Sequence, residues 1–202
     1  MKDTIGYQKE VANKVLRVLH QYFDRSAILA GGAPRNWDHD LPANDLDIYL
    51  RHSLGSNFLR VFETLWNTCY NDIETDVTGT TLDFSKPRKH SEEEYKGANI
   101  DIVRIDNLNI GGITVQFMCV NEKPVCYFEE LITNSFDVGI CKISYNEYRG
   151  ILKDSAYISD VVNKTITVFT KGLSDYQLKH CLTKHVPKMQ DYYPDHRLTF
   201  EV

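Results

Sequence analysis

The stretch that most constrains this chain is residues 27–50, AILAGGAPRNWDHDLPANDLDIYL. One apolar run, SAILA, stops at two adjacent glycines, and a second run, DLDIYL, alternates acidic and apolar residues. Alternation with a period of two marks a strand with one buried face. The pattern predicts a compact unit. A buried strand ends at Gly31–Gly32, a short helix with Pro34 in its first turn follows over APRNW, then a loop over DHDLPAN, then a second strand. In that second strand Leu46 and Ile48 face the core, so Asp45 and Asp47 point together to the other side.

Two neighbouring carboxylates repel, and one of them keeps its proton to a higher pH unless a cation sits between them. Hard divalent ions such as Mg²⁺ or Mn²⁺ favour oxygen donors of this kind. Taken alone, such an Asp pair is usually a solvated strand edge, and a glycine turn with an arginine nearby is usually just a turn. The combination is more specific. Glycine tolerates positive φ and lets a ligand approach the backbone. Amide N–H groups at such a turn, next to a helix start, donate to phosphate oxygens. Arg35 adds a forked donor. No GxxxxGK[ST] loop is present. A nucleoside triphosphate across the turn, with ions on Asp45 and Asp47, is the arrangement that transfer at phosphorus requires. A third carboxylate from a nearby strand completes such a site. Asp101 in NIDIVRI and Asp137 in FDVGICKISY are both candidates, each an acid in an otherwise apolar run.

Composition narrows the classes. With 202 residues, 42% hydrophobic and 25% charged, the chain fits one domain or a domain with a small appendage. A net charge of −5 argues against a surface built wholly around nucleic acid, while allowing local basic patches. The five cysteines are odd in number and form no CxxC pair, which indicates neither a disulfide scaffold nor a zinc knuckle and suits a reducing, cytoplasmic setting. MKDTIGYQKE has no apolar signal-peptide core, and no run approaches the ~18 apolar residues that span a membrane.

Along the rest of the chain, residues 7–23 read as an amphipathic helix with Val11, Val15, Val18, Leu19 and Tyr22 at helical spacing. Residues 56–69 read as a helix with Ser56 as N-cap, and 71–98 as a polar loop or insertion. NIDIVRI and ITVQFMCV read as strands around a DNLNIGG hairpin, PVCYFEELITN as a helix opened by Pro124, and FDVGICKISY as a buried strand. A helix, a strand at TITVF and a helix at 174–190 close the chain. Helices alternating with strands, one hairpin included, predict an α/β or α+β domain with a mixed sheet.

Several other features read as ordinary surface or core. KPRKH at 86–90 is basic but is offset by EEE at 92–94. His180, Lys184 and Lys188 recur every four residues, as a solvated helix face does. His180, Cys181 and His185 fit no common zinc spacing. DHD at 38–40 suits turn chemistry, and Trp37 and Tyr145 suit core packing better than base stacking.

The segments LAGGAPRNW and NDLDIYL resemble the head of the nucleotidyltransferase superfamily that includes DNA polymerase β, most of all the CCA-adding and poly(A)-adding tRNA nucleotidyltransferases. That group reads strand, GGxxRD, short connection, then DxDI. SFDVGICKISYN is similar to a later motif of the same group, with the Asp137-to-Tyr145 spacing kept. The likeness covers roughly residues 10–146 and is nearest to short stand-alone members from viral and bacterial genomes.

The resemblance implies a mixed sheet flanked by helices over 1–150, with a small helical extension over 151–202. It implies an NTP substrate at Gly31, Gly32 and Arg35, Mg²⁺ or Mn²⁺ on Asp45, Asp47 and Asp137, and Asp137 or Asp101 as the third catalytic acid. The acceptor would be an RNA end, a protein or a small molecule. The chain departs from the pattern at Asn36, Ser135, Phe136 and Gln116, where the group carries an acid, two arginines and an acid respectively. The helical neck and body that hold tRNA in that group have no counterpart here, so CCA addition itself is not implied. The alternatives are a nucleotide-binding module without turnover and a protein-interaction module.

Overall fold

The computed structural model describes residues 4–51, 63–65, 67, 100, 102–121 and 127–202. The chain runs α1 (Ile5–Tyr22), β1 (Ile28–Ala30), α2 (Gly32–Asp38), β2 (Asp45–Arg51), β3 (Ile102–Ile110), β4 (Ile113–Val120) and α3 (Phe128–Asn134). A 3₁₀ turn (Gly139–Cys141) leads to β5 (Ile143–Asn146), β6 (Gly150–Lys153), α4 (Ser155–Asn163) and β7 (Thr165–Phe169). Then come α5 (Asp175–His180), a π-helical turn (Cys181–His185), α6 (Val186–Tyr192) and β8 (Arg197–Glu201). Six strands form one mixed sheet in the order β3-β4-β2-β1-β5-β6. β2 and β4 are parallel and the other neighbours antiparallel. β7 and β8 pair in parallel as a second, two-stranded sheet. This is the mixed α/β architecture that the alternation of elements predicts.

The acidic strand sits near the middle of the large sheet, and its alternation divides the two faces. Leu46, Ile48 and Leu50 join Leu29, Val115, Phe117 and Leu108 in a core covered by α1 and α2. From α1 that core takes Val11, Ala12, Val15, Leu16, Val18 and Leu19; full burial of such an aliphatic side chain contributes about 1.5–3 kcal/mol. Tyr22, at the end of the same stripe, is 58% exposed. The helix is opened by Thr4, whose hydroxyl accepts the Tyr7 N–H. On the other face, Tyr49 packs with Ile28, Ala30, Met118, Phe128 and Ile132 beneath α3. A third cluster joins Val138, Ile140 and Ile143 to Tyr157, Ile166, Val168, Cys181, Val186 and Met189 of the C-terminal elements.

Four elements differ from the sequence expectation. β3 continues through Ile110, because Leu108 and Ile110 keep the alternation and enter the core, so the hairpin turn is only Gly111–Gly112, with φ of 57° and 83°. FDVGICKISY is not one strand. Val138 bridges to Val168 in the small sheet, a 3₁₀ turn follows, and only Ile143–Asn146 joins the large sheet. One segment serving two sheets has to bend between them. Gly139 lies at the bend, where a Cβ would stand 2.5 Å from the Asp160 carboxylate. The C-terminal helix starts at a Ser174–Gln177 capping box but widens into the π turn before Pro187, and β8 follows it. α3 starts at Phe128 with Tyr127 as its N-cap residue, and Pro124, expected to open it, lies outside the described residues. Residues 63–65 and 67 are helical; the rest of the helix expected over 56–69, the 71–98 segment with its KPRKH and EEE runs, and Asp101 lie outside the described residues.

Candidate active site

β1 delivers the chain to Gly31, which is buried and has φ 84° and ψ −120°. Its N–H donates to the Ile143 carbonyl of β5 (3.1 Å), and a Cβ there would lie 3.5 Å from the Phe136 ring. A side chain at this φ is strained, which explains the glycine. α2 starts at Gly32 and buries Ala33, Pro34, Arg35, Asn36 and Trp37. Gln8 of α1 fixes this helix relative to β2. Its Oε1 accepts both Trp37 Nε1–H and the Ala43 N–H (2.9 Å each), and its Nε2 donates to the Ala43 carbonyl (2.7 Å). Asn36, where the resembling group carries an acid, donates from Nδ2 to the Pro42 carbonyl (3.0 Å) and accepts from Arg35 (3.1 Å).

Arg35 is 3% exposed. Its guanidinium donates to the Met189 sulfur (3.1 Å), the Cys141 sulfur (3.5 Å) and Asn36 Oδ1, and stacks 5.2 Å from the Tyr192 ring centre. Nε is buried with no hydrogen-bond partner, and among the described residues no carboxylate pairs with this cation. Thioethers and thiols are weak acceptors. A buried guanidinium held by sulfur and an amide has charge and donor capacity left for an anion.

Asp45 and Asp47 are partly buried on the face opposite Leu46 and Ile48. Burial, and then the Asp45 charge, push the Asp47 carboxyl up to about 7; the Lys188 and Arg35 charges act the other way. A pair short of positive charge in this way suits a divalent ion. Asp47 lies beside Gln116 of β4, and Gln116 beside Asn107 of β3. The position across from Asp47 on the neighbouring strand is therefore an amide.

Asp137 lies in the segment before the 3₁₀ turn. His185 Nδ1 is 3.1 and 3.3 Å from its two oxygens, and the Cys181 thiol also hydrogen-bonds it. Burial opposes ionisation of Asp137, but the His185 hydrogen bond and charge prevail and hold the carboxyl below its ordinary range. The other sequence candidates are structural. Trp37 packs edge-on against Tyr145 (5.3 Å), and the Tyr145 hydroxyl donates to Asn13. Asp38 is tied to Lys153 (2.6 Å) and to the Tyr157 hydroxyl (2.7 Å), and Asp40 takes a turn conformation at φ 56°. Sequence reasoning missed Lys188 as more than a surface charge, and Met189 and Tyr192 as walls of the Arg35 pocket. No local pattern marks them, because they come from α6, with Met189 154 residues beyond Arg35.

No family model matches the chain, and no curated protein does. Solved structures do. A CCA-adding enzyme in complex with ATP aligns with TM-score 0.58 at 14% identity, covering 95% of this chain and 39% of that one. This chain has the fold of one part of the CCA-adding enzymes. The Thermotoga maritima CCA-adding enzyme complexed with tRNA gives 0.56 at 13% identity over 92% of this chain and 38% of its own. The Bacillus stearothermophilus enzyme in complex with CTP gives 0.54 at 14% identity over 94% and 40%. The chain thus spans about two fifths of the CCA-adding enzymes it resembles. None of its described helices is long and apolar enough to cross a membrane.

Proposed function

We propose that the protein is a metal-dependent nucleotidyltransferase, moving a nucleoside monophosphate from an NTP to a hydroxyl acceptor with release of pyrophosphate. One observation carries this reading: Asp45 and Asp47 share a sheet face, and Asp47 lies within electrostatic reach of Arg35, a buried cation with no ion-pair partner among the described residues. The fold supports it, since CCA-adding enzymes are solved with ATP, CTP and tRNA. In this reading residues 1–150 form the transferase domain and 151–202 an extension that walls the Arg35 pocket.

The Gly31–Gly32 turn and Arg35 take the triphosphate, while Asp45 and Asp47 hold Mg²⁺ or Mn²⁺. Such an ion, when bound, neutralises phosphate charge and makes the acceptor hydroxyl easier to deprotonate. The acceptor oxygen forms a bond to the α-phosphorus as the bond to the β-bridging oxygen breaks, and pyrophosphate leaves with that electron pair. The hydroxyl proton goes to a third carboxylate. Asp101 lies outside the described residues, and Asp137 is engaged by His185.

The test is transfer of α-labelled NTPs to RNA, protein and small-molecule acceptors with Mg²⁺ or Mn²⁺. Label transfer that Asp45→Asn and Asp47→Asn abolish supports the proposal. No transfer in any combination, with no NTP binding by calorimetry, overturns it. Gln116 beside Asp47 favours a second reading, a nucleotide-binding module without turnover. NTP binding without product, lost in Arg35→Met, selects that reading.

A further inference from the structure

The sequence offers Cys181 and His185 without a zinc-like partner nearby. The fold supplies one from 44 residues upstream. The Asp137 carboxylate, the Cys181 sulfur and a His185 ring nitrogen all lie within 4.8 Å of one another. A tetrahedral shell with bonds of ~2.0–2.3 Å places its donor atoms roughly 3.3–3.7 Å apart. The Asp137–His185 edge measures 3.1 Å and no edge of the set exceeds 4.8 Å, so shifts of about an ångström bring the three donors to that spacing.

The backbone explains how the two helical ligands come to face one carboxylate. Pro187 has no N–H to give the Thr183 carbonyl, and its ring crowds that turn. The helix opens into the π turn, with the Val186 N–H reaching back to the Cys181 carbonyl. Cys181 and His185, at opposite ends of that turn, then both meet Asp137. Cys181 is fully buried and His185 is exposed, so an ion would enter from the imidazole side.

We infer that Asp137, Cys181 and His185 form a site for a borderline-soft divalent cation of the Zn²⁺ type, with water as the fourth ligand. Thiolate and imidazole select such an ion over Mg²⁺, whereas the oxygen-only pair Asp45–Asp47 selects the reverse. The site is separate from the Asp45–Asp47 pair and does not depend on the transferase reading. It takes Asp137 out of contention as the third carboxylate. An ion there pins the segment carrying Phe136, the ring beneath Gly31, to the C-terminal helix.

The experiment is a Co²⁺ titration of the metal-stripped full chain, followed by Zn²⁺ displacement, with circular dichroism as a check on folding. Wild type should take up Co²⁺ with a thiolate-to-cobalt charge-transfer band that Zn²⁺ abolishes and excess Mg²⁺ does not. Cys181→Ser should lose the band. His185→Ala, an exposed change that keeps the fold, should weaken binding by more than the roughly 10–100-fold that loss of an outer-shell partner costs. Cys141→Ser and Asp45→Ala should keep the band. A folded wild type with no band, or a band that survives in folded Cys181→Ser, overturns the assignment. So does His185→Ala binding Co²⁺ as tightly as wild type.

Discussion

Replacing Asp47 by asparagine should make the protein more stable at alkaline pH, although it removes a residue of the proposed site. In the unfolded chain Asp47 loses its proton near its ordinary 3.8, but in the fold only near 7, because burial and Asp45 disfavour its charge. Between those values the folded state holds a proton that the unfolded state has released. Stability therefore falls as pH rises from about 4 to about 7, and the penalty is complete above that. At about 1.4 kcal/mol per pH unit, the interval from 3.8 to about 7 caps the penalty at about 4 kcal/mol. Partial contact with solvent reduces this to about 2–4 kcal/mol. Asparagine stays neutral throughout. Urea denaturation in chelator should find Asp47→Asn more stable than wild type by that amount at pH 8, with the gap closing near pH 4. Mg²⁺ at pH 8 should narrow the gap by stabilising wild type alone. Equal stabilities at pH 8, or equal effects of Mg²⁺ on both proteins, would refute the idea that Asp45 and Asp47 form a cation-deficient pair.

Three more outcomes follow from the site. Gly31→Ala should lower stability by roughly 1–2 kcal/mol in thermal melts, since its φ of 84° strains any side-chain-bearing residue, while the new Cβ makes only ordinary contact with Phe136. Arg35→Met should leave the fold intact, because sulfur and an amide are its partners, but weaken ATP binding in calorimetry by about 10–100-fold, the value of a charge-assisted bond to phosphate. Gln116→Glu places a third carboxylate across from Asp47; it should raise the transfer rate at saturating Mn²⁺ and lower the melting temperature in chelator.

The sequence by itself determined the parts whose cause is local. The period-two run DLDIYL put Leu46 and Ile48 in the core and Asp45 and Asp47 on the other face, because a pleated strand leaves no other choice. Gly31 was legible because positive φ is a property of one residue, and α1 because its apolar stripe matches the helical period. Tertiary structure decided everything that depends on which segments meet. Only packing could break FDVGICKISY between two sheets, surround the Arg35 guanidinium with Cys141 and Met189, or bring Lys188 within reach of Asp47. The same holds for Asp137, whose partners Cys181 and His185 lie far along the chain and meet it only because Pro187 opens the helix and the Val138–Val168 bridge anchors the other side. Contacts between distant residues leave no period in a sequence; they exist only once hydrophobic burial has folded the C-terminal helix onto the sheet.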